Sequence, residues 1–332
     1  MKRCSKCNSL MPEDAPKCIK CGQEAVKKAA PRPVVATAAA AGPAPIAWAA
    51  KGERPGRIRG AWLLAVQSWR VLMLDKELLV FPLLSGIACL LVLGAFFAGI
   101  FATGATQGGK AHEEALVWVL AFVYYFVNYF VIVFFNSALV ACAMIRFRGG
   151  DPTVADGLRA ASARLPQILA WSLLAATVGI VLRALQERFQ LLGRIVIALL
   201  GAAWTIATFF IVPVLVVEKA GPFDAVKRST TLMKQTWGES LVSHVGIGVV
   251  TGILTFLAVL LAGAATVMLF VQTQSMAVLI GGGVVILVVL VLAALISSAL
   301  NTIVLSALYL YAAEKQVPQA FDGVAQVAFA SK

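Results

Sequence analysis

Six stretches of the chain are apolar over roughly twenty residues or more, at about 78 to 102, 115 to 145, 167 to 186, 193 to 217, 241 to 271 and 278 to 312. A helix needs about 20 such residues to cross a bilayer, so the pattern predicts an all-α integral membrane protein with six transmembrane helices. The last stretch is longer than one span requires; it tilts, projects beyond the bilayer or starts only after Gly281-Gly282-Gly283. The segment 57–77 reads differently. Trp62, Leu63, Val66, Trp69, Leu72 and Met73 recur at three- and four-residue steps, with Arg57, Arg59, Arg70 and Lys76 between them. That spacing predicts an amphipathic helix lying at the membrane surface, packed against the bundle or not.

A weak repeat underlies the spans. Pro152-x3-Asp156-Gly157 follows the second, Pro222-Phe223-Asp224-Ala225 the fourth and Pro318-x3-Asp322-Gly323 the sixth. Proline suits the first turn of a helix and Asp caps its orphan amides, so each even-numbered span is expected to lead into a short helix with bases on one face. The predicted unit is a transmembrane hairpin followed by a cytosolic interfacial helix, used three times. The transmembrane domain is assigned to 78–325 and the tail to 326–332.

Charge divides the chain. Residues 1–77 hold 14 Lys+Arg and 6 Asp+Glu, whereas residues 78–313 hold 12 and 8 over three times the length. The formal net charge of +12 is therefore largely N-terminal. A basic segment beside a bilayer matches anionic lipid headgroups, and nucleic acid is the less favoured partner. With the N-terminus inside, 24 of the 28 Lys+Arg fall on the cytosolic side, and Lys110, Arg183, Arg188 and Arg194 on the other. The positive-inside rule thus places both termini in the cytosol.

The first 24 residues contain no secretory signal but do contain a candidate metal site. Cys4 and Cys7 form one C-x2-C pair, Cys18 and Cys21 a second. Two such turns can present four thiolates to one tetrahedral ion, structural Zn2+ being favoured over iron, and free thiolates imply a reducing compartment. Four ligands leave no open position for a substrate. With Met11-Pro12-Glu13-Asp14-Ala15 between the pairs and Gly22 after the second, the segment resembles the short zinc-ribbon module that opens many prokaryotic proteins; Asn8 stands where that module usually has Gly. Residues 25–56 are rich in Ala and Pro and predict a flexible linker.

Within the spans, candidate chemistry is sparse. Arg183 and Glu187 are four apart near a span end and suit a helical ion pair. His244 has Ser240 and Ser243 nearby but no orienting acid, so no catalytic residue is expected. Asn128 and Asn136 share a face of the second span, and Ser298, Thr302 and Ser306 share one in the sixth beside Asn301. Such faces either bond helix to helix or line a polar passage or headgroup groove, to which Tyr124, Tyr125 and Tyr129 could contribute. Cys89 and Cys142 read as small hydrophobes.

Ser68-Trp69-Arg70-Val71-Leu72, Asp75-Lys76-Glu77-Leu78-Leu79 and Phe81-Pro82-Leu83-Leu84-Ser85 resemble the opening signature of a group of uncharacterised prokaryotic six-helix membrane proteins. The runs from Pro213 to Lys219 and from Ala225 to Ser229 resemble the multi-pass domain fused to some bacterial glycerophosphodiesterases. The resemblance, over about 58 to 325, implies an integral membrane domain and no activity. The expectation is a non-enzymatic, multi-pass protein of the prokaryotic plasma membrane, whose zinc-ribbon head binds a cytosolic protein or senses the membrane surface. The alternative is a transporter or lipid-handling protein using the polar seam of the second and sixth spans.

Overall fold

A computed structural model describes residues 2–3, 10–11, 57–103, 111–189, 191–235 and 237–314. The chain divides into two units, residues 1–41 and 42–332. In the first, β1 (Lys2–Arg3) pairs antiparallel with β2 (Leu10–Met11), Lys2 opposite Met11 and Arg3 opposite Leu10. Cys4, Cys7, Cys18 and Cys21, the linker 25–56, the third repeat at 318–324 and the tail 326–332 lie outside the described residues.

The second unit is helical: α1 (Arg57–Leu74), one 3-10 turn (Lys76–Leu79), α2 (Val80–Thr103), α3 (Ala111–Phe147), α4 (Val154–Ser162), α5 (Leu165–Arg188), α6 (Leu191–Ala207), α7 (Ile211–Val217), α8 (Pro222–Gln235), α9 (Trp237–Thr273) and α10 (Met276–Glu314). Among the described residues six stretches are long and apolar enough to span a bilayer: 76–102, 117–147, 165–188, 193–217, 248–273 and 276–314. This is a multi-pass membrane protein. At 1.5 Å per residue the 37 to 39 residues of α3, α9 and α10 run about 55 to 60 Å, roughly twice the hydrocarbon thickness.

Burial is concentrated at one end of the bundle. The core gathers Leu139 and Ala143 of α3, Ala161 of α4, Ile168 and Ala175 of α5, Val214 of α7, Leu232 of α8, and Ile303, Leu308 and Tyr309 of α10. We call this end the base. Away from it the same helices present aliphatic side chains outward, Leu90 and Phe101 of α2, Leu261 and Met268 of α9 and Ile280 of α10 among them. In water that surface would be untenable; in hydrocarbon it needs no partner. There α9 and α10 run side by side, and a Cβ on Gly282 would meet the Thr266 side chain at 2.1 Å, so only glycine permits the approach.

Three points refine the expectations. First, α1 buries Leu64, Gln67, Ser68, Val71 and Leu72, while Trp69 and Met73 are exposed. The helix is seated against α9 and α10, the packing that the sequence left open, and those contacts set which face turns in. Second, the fourth span is broken into α6 and α7. Pro213 has no amide hydrogen and its ring crowds the carbonyl four residues earlier, so the helix opens at 208–210. The freed amide of Phe210 donates to Ser229 Oγ of α8 at 3.0 Å, and the Thr230 hydroxyl, which donates to the Val226 carbonyl at 2.8 Å, lies 3.4 Å from the Ala207 carbonyl. A break at this depth survives because buried side chains replace the lost backbone partners. Third, Asp156 does not itself cap α4. Thr153 is the N-cap, its hydroxyl accepting from the Asp156 amide, while the Asp156 carboxylate accepts from the Thr153 amide, a capping box.

Candidate functional site

The base is fastened by charged and hydroxyl groups that no single span reveals. Asp75, at the entry to the 3-10 turn, is buried, with a side chain 6% exposed. Arg146, at the end of α3, donates from Nε and Nη2 to both its carboxylate oxygens and also pairs with Asp151. The bidentate fork ties the α1–α2 junction to α3 across 71 residues. Behind it α4 lies close on α3. A Cβ at Gly157 would stand 2.6 Å from the Phe81 ring, 2.7 Å from Cys142 Sγ and 2.9 Å from the Ala138 carbonyl. Cys142 is buried and its thiol donates to the Thr153 carbonyl at 3.5 Å. Arg148 completes the rim with an ion pair to Glu314 at 3.2 Å.

A second network joins α7, α8 and α10. Glu218 accepts from Arg228 Nε at 2.8 and 3.0 Å and from the Tyr309 hydroxyl at 2.9 Å. Arg164 donates to the Val216 carbonyl at 3.3 Å, closing the end of α7. Lys219, with φ of 57°, makes the left-handed exit that turns the chain into α8. The run from Pro213 to Lys219 and the run from Ala225 to Ser229 thus meet at the broken helix and its cap. Among the described residues outside the spans, Asp156 is the group whose titration is clearly moved. Hydrogen bonds from the Thr153 side chain and amide, with the Arg159 charge as a lesser cause, hold its carboxyl below the usual carboxylate range.

The polar positions of the second and sixth spans lie on α3 and α10, which pack against each other. Asn128 donates to the Tyr124 carbonyl of its own helix at 3.1 Å. Asn301 Nδ2 reaches Ser297 Oγ at 3.5 Å, Thr302 donates to the Ser298 carbonyl at 3.0 Å and Ser306 to the Thr302 carbonyl at 2.8 Å. Asn136 is half-buried on α3. A bond between helices runs elsewhere, from Thr251 of α9 to Ser297 of α10 at 3.2 Å. Buried oxygens of Gln67, Ser68, Ser137 and Asn301 have no hydrogen-bond partner among the described residues. No group of three or more His, Cys, Asp or Glu side chains among the described residues is arranged to hold a metal. The side chains of His244, Ser240 and Ser243 lie outside the described residues.

Among the described residues, two of the clefts between helices stand out. One, of about 430 Å³, runs between α1, α9 and α10 and is walled by Trp69, Leu254, Leu292 and Ile296 among others. Thr251 and Thr255 turn their hydroxyls to Ser297 and to backbone, which leaves it apolar. The other, of about 370 Å³, lies at the opposite end from the base, where α2, α3 and α5 meet. Phe96 packs on Tyr124 at 4.7 Å between ring centroids, and Tyr124 meets Tyr125 edge-on at 5.8 Å. Arg183 donates from Nη1 to the Tyr125 hydroxyl at 2.5 Å and from Nε to Glu187 Oε1 at 3.4 Å. The i,i+4 pair suggested by sequence therefore forms, and sequence spacing alone did not show that Trp118 and Phe96 wall the same cleft.

Residues 115–318 match the family of unknown function DUF6159. The chain belongs to that family. The match runs from α3 to just beyond α10 and, with the six apolar helices, fits an uncharacterised membrane family. It leaves α1, the 3-10 turn and α2 outside, although Asp75 and Phe81 are seated in the base that the matched helices build. A comparison with curated proteins gave no match.

Proposed function

We propose that this DUF6159 member is a non-enzymatic protein of the prokaryotic plasma membrane, with both termini cytosolic, whose N-terminal Cys4 zinc ribbon engages a cytosolic protein or senses the membrane surface. The observation that carries the reading is the placing of two C-x2-C pairs at the head of a basic segment joined to a nearly charge-free bundle. The short ladder of β1 and β2 supports it, because it pairs Arg3, next to Cys4 in sequence, with Leu10, three residues after Cys7. Zn2+ held by Cys4, Cys7, Cys18 and Cys21 would supply the folding energy that so short a segment lacks. The base, which gathers Arg146, Arg148, Arg159, Arg164 and Arg228, would face the cytosol under the positive-inside rule. The spans would form three hairpins, each leading into an interfacial helix.

The test compares the full chain with a Cys4→Ser, Cys18→Ser variant, both solubilised from membranes. About one zinc per chain should be lost in the variant, together with the proteins captured by the full chain. Identical captured proteins would sink the recruiting role of the head.

A second reading, lipid handling, is favoured by the two clefts that open sideways between apolar helices. Asn128, Asn136, Ser298, Asn301, Thr302 and Ser306 would then form the polar seam along which α3 and α10 meet. Replacing Asn128 and Asn136 by Leu should reduce co-purified lipid in a protein that still folds; unchanged lipid content would reduce the seam to helix packing.

A further inference from the structure

We infer that the cleft between α2, α3 and α5 binds a zwitterionic aminophosphate headgroup, of the kind carried by phosphatidylethanolamine. The inference deepens the lipid-handling reading and rests on it; under the proposed orientation the cleft opens in the leaflet opposite the zinc head. Depth is the first argument. The cleft takes Trp118 from the start of the span 117–147 and Arg183 and Glu187 from the end of the span 165–188, so it lies where hydrocarbon gives way to headgroups. Trp and Tyr concentrate at that level because one end of each ring is apolar and the other polar.

Charge balance is the second argument. Among the described residues the cleft is lined by one cation, Arg183, and one anion, Glu187. An anionic headgroup would find its attraction to Arg183 offset by Glu187, whereas a zwitterion satisfies both. Among the described residues Arg183 uses Nε and Nη1, which leaves the rest of its five-donor fork for phosphate oxygens. The contact to Glu187 is long at 3.4 Å and engages only Oε1. A primary ammonium donating to Glu187 would therefore compete with a weak bond, and the faces of Tyr125 and Trp118 would add cation–π attraction. Phe96 and Tyr124 supply apolar wall for the carbon linker and the glycerol.

Native mass spectrometry of the full detergent-solubilised chain tests this, after exchange into equimolar phosphatidylethanolamine and phosphatidylglycerol. Ethanolamine lipid should be retained about fivefold over glycerol lipid, the factor of one exposed charge-assisted contact. Glu187→Gln should abolish that preference without unfolding the protein, since the side chain is half exposed. Arg183→Ala should lower retention of both lipids. Soluble phosphoethanolamine, added as competitor, separates two sources of binding: displacement shows that the headgroup suffices, and no displacement with intact sensitivity to Glu187→Gln shows that the acyl chains contribute. Either supports the assignment. Equal retention of the two lipids, or retention indifferent to both substitutions, overturns it; retention of no lipid at all removes the lipid-handling reading as well.

Discussion

The base and the open half of the bundle are built from the same helices by different rules. At the base, α3, α5 and α10 bury Leu139, Ile168 and Tyr309 among one another, and the break at 208–210 is answered by Ser229 of α8. In the open half the same three helices expose Val119, Val181 and Val288. The difference teaches where specificity resides. Hydrocarbon solvates the open half as readily as a neighbouring helix would, so sequence there is constrained by hydropathy and small residues. The base depends on particular partners, Arg146 for Asp75 and Ser229 for the Phe210 amide.

Substitutions should separate the two regions by size of effect. Asp75→Ala removes the buried bidentate partner of Arg146 and leaves it only the exposed Asp151, and should cost about 2 to 3 kcal/mol, read from the loss of thermal stability in detergent. Replacing both partners by apolar residues of similar volume should recover much of it. Ser229→Ala removes the acceptor of the buried Phe210 amide and should cost about 1 to 3 kcal/mol, with faster proteolysis near the α6–α7 break as the accompanying signal. Gly157→Ala forces a Cβ against the Ala138 backbone and should cost a similar 1 to 3 kcal/mol in the same assay.

Acid offers a gentler probe of the base. The Asp156 carboxyl titrates below its unfolded value, so its contribution to α4 is fully present above about pH 4 and is lost as pH falls through the folded value. Thermal scans of the wild type and of Asp156→Asn should differ at neutral pH and converge in acid. The smallest effect belongs to the open half: Val288→Ala on α10 should change stability by less than about 0.5 kcal/mol. A loss comparable to that of Ser229→Ala would show that the open half is packed in the membrane, and the contrast would fail.

The sequence made the spans legible for the reason that makes the open half tolerant: a run such as 278 to 312 needs only hydropathy to be recognised. Arg183 and Glu187 were legible as a pair because helix geometry alone brings positions four apart together. The base was not. Asp75 and Arg146 stand 71 residues apart, and nothing in either segment names the other. Pro213 was visible inside an apolar run, but that its break would be held by Ser229 depended on where α8 folds back. The seat of α1 was left open by the sequence, because the neighbours that bury Gln67 and Ser68 lie far along the chain and hydropathy does not register them. The Cys4 site rests on spacing, and its residues lie outside those described.

The Asp75–Arg146 fork also orders events in time. A ribosome delivers Asp75 long before Arg146, so for the whole of the synthesis of α2 and α3 the carboxylate has no guanidinium to meet. Until α3 is finished the α1–α2 junction stays uncommitted and its charge stays hydrated at the membrane surface. Closure of the base is thereby a signal that the first helical pair has been threaded to its full length, and a chain halted before Arg146 would keep α1 unlocked.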